Sequence, residues 1–365
     1  MRPQGIDLRT GCNNTATPEN PPAPATDLPV SAEEFSALLD RLPHDFSKDF
    51  ALAIAVSGGP DSMALTFLLH RWAQSHHHPL PLHALIVDHG LRPESGQEAH
   101  TVQNVLKDWQ GLTAVILRWE HPPLEGKILE TARHARYALL SSYCETHGIR
   151  ILFLGHHRDD QAETVLFRLA KGSGLDGLAG INPVQPLTSH LTLARPLLDI
   201  PKTRLIETCR AQALPVIQDP SNTSLKFARI RLRGARALLE QEGLSAKRLA
   251  KTAARLARAK NALNTLSQKA YQQISKQSGT DRIVFNLSAF RTVPAEISLR
   301  CLCYAVETLY PAPLYPPRLE KMELLHEGLL QNAPFRKQSF AGVLFNRNDT
   351  KDEIHLTREH PASPE

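Results

Sequence analysis

Cysteine is scarce and unpatterned. Its five occurrences, at positions 12, 144, 209, 301 and 303, contain no C-x-x-C pair and no metal-ligand spacing. That excludes a disulfide framework or a zinc ribbon and fits a reduced, cytoplasmic setting. No apolar run approaches the ~20 residues that a membrane span needs, so no membrane partner is expected. Residues 1–30, rich in Pro, Thr and Asn, have neither an apolar h-region nor hydrophobic periodicity, and read as a disordered extension rather than a secretory signal. There is no H-E-x-x-H, and His76-His77-His78, beside Pro79 and Pro81, read as a solvated loop rather than a metal tract. With 42% hydrophobic and 22% charged residues over 365 positions, the chain has the composition of a globular protein of two domains with a small third.

From residue 51 the pattern alternates. Strands are expected at 51–56, 82–88, 113–118 and 150–155, with helices at 61–72, 95–109, 128–147 and 159–171. A short strand at 192–195 and a helix at 202–212 follow, and a helix capped by Ser31 precedes them at 32–42. Apolar strands alternating with amphipathic helices predict an α/β fold, a doubly wound parallel sheet of Rossmann-like build. In such a sheet ligands gather beyond the C-terminal strand ends.

The most informative stretch lies at one such end. Ala51–Val56 runs into Ser57-Gly58-Gly59-Pro60-Asp61-Ser62 and then into the apolar helix MALTFLL. Two glycines let the backbone bend and bring N–H groups close to an oxyanion, and the helix start adds its own donors and dipole. No Lys-Ser/Thr pair follows, so the turn is not a Walker A loop. Asp61 instead puts a carboxylate where an anion should sit, which makes sense with Mg²⁺ between it and phosphate. Turn and cap chemistry alone would account for a lone Gly-Gly, less readily for all six residues.

Other clusters fall near the same edge. Asp88-His89-Gly90-Leu91-Arg92 is either a polar turn or a nucleotide contact. Glu130, Arg133 and Arg136 recur at spacing three on one helical face, before Tyr137. In Gly155-His156-His157-Arg158-Asp159-Asp160-Gln161-Ala162-Glu163-Thr164, Asp160 and Glu163 have capping-box spacing, which leaves a structural role beside a chemical one. Arg168 and Lys171 open a glycine-rich loop, and Arg195-Pro196-Leu197-Leu198 and Asp219-Pro220-Ser221-Asn222 follow. Between Lys226 and Lys260 lie 11 Lys or Arg against Glu240 and Glu242, with helical periodicity at 232–239 and 246–266 and Gly243 as a stop between. Beside a nucleotide site, such a segment reads as a polyanion footprint, and with Phe227 its one aromatic it indicates phosphate contact rather than base stacking. The tail reads strand 282–287, helices 295–310 and 318–330, and a terminal hairpin at 335–346 and 353–357.

SGGPDS resembles the pyrophosphate loop of the N-type ATP pyrophosphatases. The segments D-H-x-L-R, A-R-x-x-R-Y, G-H-H-x-D-D-Q-A-E-T, the glycine-rich loop, R-P-L-L and D-x-S-N narrow the resemblance to the tRNA(Ile)-lysidine synthetase family. Lys171, where that family more often has Arg, and Val216-Ile217-Gln218, where it often has Trp, are departures. The resemblance implies ATP and Mg²⁺ as cofactors, with free L-lysine and the isoleucine tRNA of CAU anticodon as partners. It implies that ATP adenylates the C2 oxygen of the wobble cytidine and that lysine displaces AMP, so that the codon read changes from AUG to AUA. By the same resemblance Ser57, Gly58, Gly59, Pro60, Asp61, Ser62, Asp88 and His89 hold ATP. Asp61, His156, Asp160 and Glu163 are the catalytic candidates, Asp61 and Asp160 also the metal candidates. Arg133, Arg136, Arg195, Arg229, Arg231, Lys251, Arg255 and Arg258 are expected at tRNA or phosphate. Implied domains are a catalytic one at 31–222, a basic helical segment at 223–280 and a small α/β end at 281–365. Thiolation of tRNA by a related loop enzyme is the alternative, which generally needs an activated Cys that the isolated Cys144 and Cys209 do not suggest. Oligomeric state, a homodimer included, is left open by the sequence.

Overall fold

The computed structural model describes residues 28–43, 51–76, 81–122, 126, 128–217, 232, 234–277, 280–310 and 319–359. In chain order its elements are α1 (Ala32–Asp40), β1 (Leu52–Val56), α2 (Pro60–Ser75), β2 (Leu82–Asp88), α3 (Ser95–Leu106), β3 (Leu112–Arg118) and α4 (Ile128–Thr146). Then come β4 (Ile151–Phe153), α5 (Arg158–Leu169), α6 (Leu175–Leu178), β5 (Val184–Pro186), β6 (Thr192–Ala194), α7 (Lys202–Ala211), α8 (Arg236–Gln241) and α9 (Ala246–Ile274). The chain finishes with β7 (Ser275–Gln277), β8 (Arg282–Asn286), α10 (Leu287–Thr292), α11 (Ala295–Leu309), α12 (Leu319–Leu330), β9 (Gln338–Phe340), β10 (Val343–Asn348) and β11 (Glu353–Arg358). It divides into two compact units, Met1–Ile149 with Ile200–Gln218, and Arg150–Asp199 with Asp219–Glu365.

In the first unit β1, β2 and β3 pair in parallel, Leu52 opposite Leu82 and Leu82 opposite Leu112, with Val56 opposite Ile86 and Asp88 opposite Arg118. β1 and β2 are buried along almost their whole length, the continuous apolar pattern of strands covered on both faces. The equal register brings the loops after β1 and β2 out side by side. α1 starts as expected, with Ser31 Oγ accepting from Glu34 N. Arg204 on α7 then grips Glu34 at 2.6 and 2.7 Å and the Leu28 carbonyl at 2.7 Å.

In the second unit β4 and β6 are parallel, and β5 lies antiparallel on β6. Five of the six α/β strands therefore run parallel to a paired neighbour, as the α/β reading expects; β5 is the exception, a three-residue strand ending in Pro186, which lacks the N–H a central strand needs. α9 packs Ala246, Leu249 and Ala253 against Ala162 and Val165 of α5, with three alanines at the contact. Its basic side chains Lys247, Arg248, Lys251, Arg255 and Arg258 are exposed. The terminal sheet β7-β8-β11-β10-β9 is antiparallel, and burial alternates along β8, β10 and β11, so one face closes on α11 and α12 around Phe285, Phe290, Phe345, Leu302 and Leu329. No described helix is long and apolar enough to cross a membrane.

Candidate functional site

The turn after β1 is built as an anion cradle. Gly58 has φ +82°, a conformation that costs any L side chain, and a Cβ there would stand 2.7 Å from Val102 Cγ2. Its carbonyl accepts from Ile217 N at 2.8 Å. Ser62, buried, closes the bend: its Oγ accepts from Ser57 N at 3.1 Å and donates to Gly59 O at 3.0 Å. Ser62 thus shapes the loop, whereas Ser57 sits exposed at its rim. Gly59 is the N-cap of α2 and Pro60 its first residue; no side chain caps the helix, the arrangement a helix start that takes an oxyanion would have.

Asp61 stands in the first turn of α2, with Lys202 Nζ from α7 at 3.4 Å from Oδ2. That lysine, 141 residues away, is a partner that no local pattern reveals. Cys209, isolated in the sequence, also comes here and donates from Sγ to Pro60 O at 3.3 Å. Burial, with the Asp61 charge adding, pushes its thiol up to about 11. It packs beneath the loop as a neutral thiol, not an activated nucleophile. Cys144 and Cys301 are pushed to about 12 by burial, Cys303 to about 11.

Asp88 ends β2 beside the cradle, buried. Its Oδ1 accepts from Ser95 Oγ at 2.6 Å and Gly90 N at 3.0 Å, and Arg118 Nε lies 4.0 Å from Oδ2. Burial alone would raise its pKa, but the two hydrogen bonds and the Arg118 and His89 charges together hold it below the ordinary carboxylate value. Asp88 is therefore an anionic anchor of its own loop. His89 meets Trp119 edge-on at 6.4 Å, and its carbonyl accepts from His121 Nε2 at 3.0 Å. On α4, Arg133 and Arg136 lie over the Tyr137 ring at 5.1 and 5.5 Å. Arg133 is exposed; burial draws the half-buried Arg136 below its ordinary value.

In the second unit the G-H-H-x-D-D string turns from β4 into α5. The capping pair differs from the expected Asp160–Glu163. His157 is the N-cap, its Nδ1 accepting from Asp159 N at 3.2 Å, and Asp160 reaches back to His157 N at 3.0 Å. The box therefore sits three residues earlier than the expected pair, with Asp160 at N3 rather than at the N-cap. That carboxylate holds the helix start, while Glu163, half-buried, lies nearly one turn further along α5. Buried Asp159 pairs with Arg236 of α8. Arg195, expected at a phosphate, is 5% exposed and donates from Nη1 to Asn182 O at 2.8 Å and from Nε to His156 Nδ1 at 3.3 Å. A guanidinium only donates, so His156 Nδ1 accepts and the neutral ring carries its proton on Nε2. The glycine-rich loop is tied by Arg168, whose Nη1 reaches Gly177 O at 2.7 Å and Gly180 O at 2.8 Å. Gln161 exchanges hydrogen bonds with Ile181, 2.6 and 3.0 Å. Lys251, Arg255 and Arg258 lie exposed along α9; Arg229, Arg231 and the Asp219-Pro220-Ser221-Asn222 segment fall outside the described residues.

Among the described residues no three His, Cys, Asp or Glu side chains gather as a metal-holding group. One carboxylate at the cradle, Asp61, still fits Mg²⁺, which commonly takes one or two protein carboxylates and completes its shell with water and substrate phosphate.

The arrangement suits a grip on a diphosphate by backbone N–H groups, and comparison with known proteins gives the family. Residues 30–240 match the PP-loop domain family. The chain is 38% identical to a tRNA(Ile)-lysidine synthase of Bradyrhizobium sp. (strain BTAi1), covering 92% of this chain and 96% of that one. It is 40% identical to one from Methylobacterium nodulans, covering 81% and 85%, and 39% identical to one from Rhodopseudomonas palustris, covering 89% and 94%. Among solved structures, a U34-tRNA thiolase from Methanococcus maripaludis shares the fold at a TM-score of 0.53, with 18% identity over 62% of this chain and 79% of that one. An uncapped Ser-Gly-Gly cradle and sequence identity across nearly the whole length thus lead to one conclusion: the chain belongs to the tRNA(Ile)-lysidine synthase family, on a PP-loop domain.

Proposed function

We propose that this chain uses ATP to join free L-lysine to C2 of the wobble cytidine in isoleucine tRNA of CAU anticodon, forming a carbon–nitrogen bond and releasing AMP and pyrophosphate. The observation that carries the reading is the cradle: positive-φ Gly58, an uncapped α2 and Asp61 in its first turn, in a chain of this family.

The C2 oxygen of cytidine is a poor leaving group until it carries AMP. Making that adenylate requires the enzyme to stabilise the departing pyrophosphate, the task of the leading N–H groups of α2 and its dipole. Mg²⁺, held by Asp61, would neutralise phosphate charge as a Lewis acid. Lys202 Nζ, 3.4 Å from Oδ2, orients the Asp61 carboxylate. His156, with Nδ1 engaged by Arg195, presents Nε2–H as a donor and is suited to an oxyanion rather than to proton removal. Asp160 holds its cap, and Glu163 receives the lysine ammonium and takes its proton, since only the neutral amine attacks. The exposed Lys251, Arg255 and Arg258 bind tRNA phosphates, joined by Arg133 and Arg136 on α4. Thiolation is not favoured: the thiol at the loop, Cys209, is buried and neutral.

Incubation with ATP, an isoleucine tRNA transcript and labelled lysine tests the reading. Label on the tRNA, absent when ATP is withheld, is expected; label that stays off while ATP is consumed would overturn it.

A further inference from the structure

The tail beyond residue 281 carries none of the motifs of the resemblance, yet one of its side chains reaches the glycine-rich loop. Arg300 of α11, only 11% exposed, grips Asp176 of α6 through both ends of its fork, Nη2 to Oδ1 at 2.6 Å and Nη1 to Oδ2 at 3.1 Å. Nη1 also donates to Asn264 Oδ1 of α9 at 2.6 Å, and Nε to Glu296 Oε1 at 2.8 Å. Nη2 lies 2.8 Å from the same Glu296 oxygen. All five N–H donors of the guanidinium are thus placed on three helices. Lys260 Nζ adds a second cation 4.0 Å from Asp176.

The other side of this loop is held from α5. Arg168 binds the Gly177 and Gly180 carbonyls, and the Gly177 Cα is so close to Ser173 that a Cβ would stand 2.6 Å from its Cβ. The loop from Gly172 to Gly180 therefore hangs between two arginines, one on the helix that carries Glu163 and one on the C-terminal region. Nine residues with four glycines have little stiffness of their own, so these clamps set where the backbone lies.

We infer that Arg300 is a positioning residue for the tRNA-modifying reaction, acting through Asp176 to fix the glycine-rich loop, and that the C-terminal region serves the site through this contact. The inference rests on the proposed lysine transfer. A planar fork makes the link, so charge alone does not replace it. Arg300→Lys and Asp176→Asn each lower kcat for lysine transfer about ten- to a hundredfold, as a loop misplaced by about an ångström would. The KM for ATP stays within about twofold. The reversed pair Arg300→Asp with Asp176→Arg recovers part of the loss.

The test uses the full chain and its half-exposed Asp176 as well as Arg300, so that one variant folds if the other does not. Turnover with isoleucine tRNA, ATP and labelled lysine is read beside hydrogen exchange of residues 172–180. Faster loop exchange together with lower kcat supports the inference; faster exchange with unchanged kcat, or no change in either, overturns it. If the parent protein transfers no lysine, the proposed reaction fails. Loop exchange unchanged in Asp176→Asn and Arg300→Lys then overturns the clamp too, and faster exchange upholds it.

Discussion

Gly58→Ala isolates the physics of the cradle. At φ +82° an alanine costs about 1–2 kcal/mol against its preferred backbone. Its methyl also lands 2.7 Å from Val102 Cγ2 and 3.2 Å from Ile217 Cδ1. Val102 is buried on α3 and has no room to give, so overpacking adds about 1–3 kcal/mol. The sum is about 2–5 kcal/mol of lost stability. All three tryptophans, at 72, 109 and 119, lie in the first compact unit, so urea unfolding followed by tryptophan fluorescence reports on the unit that holds the turn. Gly59→Ala is the internal control: its φ is −71° and a Cβ there meets nothing closer than Ser57 Oγ at 3.7 Å, so only the poorer N-cap remains, about 1 kcal/mol or less. Gly58→Ala with Val102→Ala recovers the steric part and not the backbone part, a coupling of about 1 kcal/mol or more in a double-mutant cycle. A Gly58→Ala protein as stable as the parent would refute this account of the turn.

Four further outcomes follow from particular contacts. Asp61→Asn abolishes lysine transfer with the fluorescence melt unchanged; full turnover would rule out metal bridging at this carboxylate. Neutralising Arg255 and Arg258 together weakens tRNA binding and reduces the slope of log K against log salt by about 1–2, leaving ATP affinity alone. The Arg204 hydrogen bond, working against burial, holds Glu34 below its ordinary pKa, so its contribution is present above about pH 4.3 and lost as pH falls through the folded value. The stability gap between parent and Glu34→Gln, about 0.5–1 kcal/mol for so exposed a pair, should close on acidification, and a gap that widens contradicts the sign. Cys144, Cys209 and Cys301 react with iodoacetamide at pH 8 far more slowly in the native protein than in urea, and rapid native labelling of Cys209 would revive the thiolation alternative.

What the sequence revealed was local. Strand ends, the Ser31 cap, the Gly58-Gly59 bend and the Gly243 stop, where φ is +84°, all rest on residues within a few positions of one another. The short elements α6, β5, β7 and α10 went unseen because three to six residues carry no periodicity. The cap of α5 was misplaced because histidine is a rare N-cap, so Asp160 looked like the start of the box rather than its end. Hidden altogether were pairs far apart in the chain: Lys202 with Asp61, Arg195 with His156, Arg300 with Asp176. Each joins groups whose neighbours give no hint of the partner, and the second puts Arg195, expected at phosphate, on the His156 ring.

The most direct test of the central claim is the fate of ATP itself. A cradle that grips the leaving diphosphate makes AMP and pyrophosphate in equal amounts, each matched to lysine joined to tRNA. ADP and orthophosphate appearing instead, in step with tRNA modification, would contradict the account.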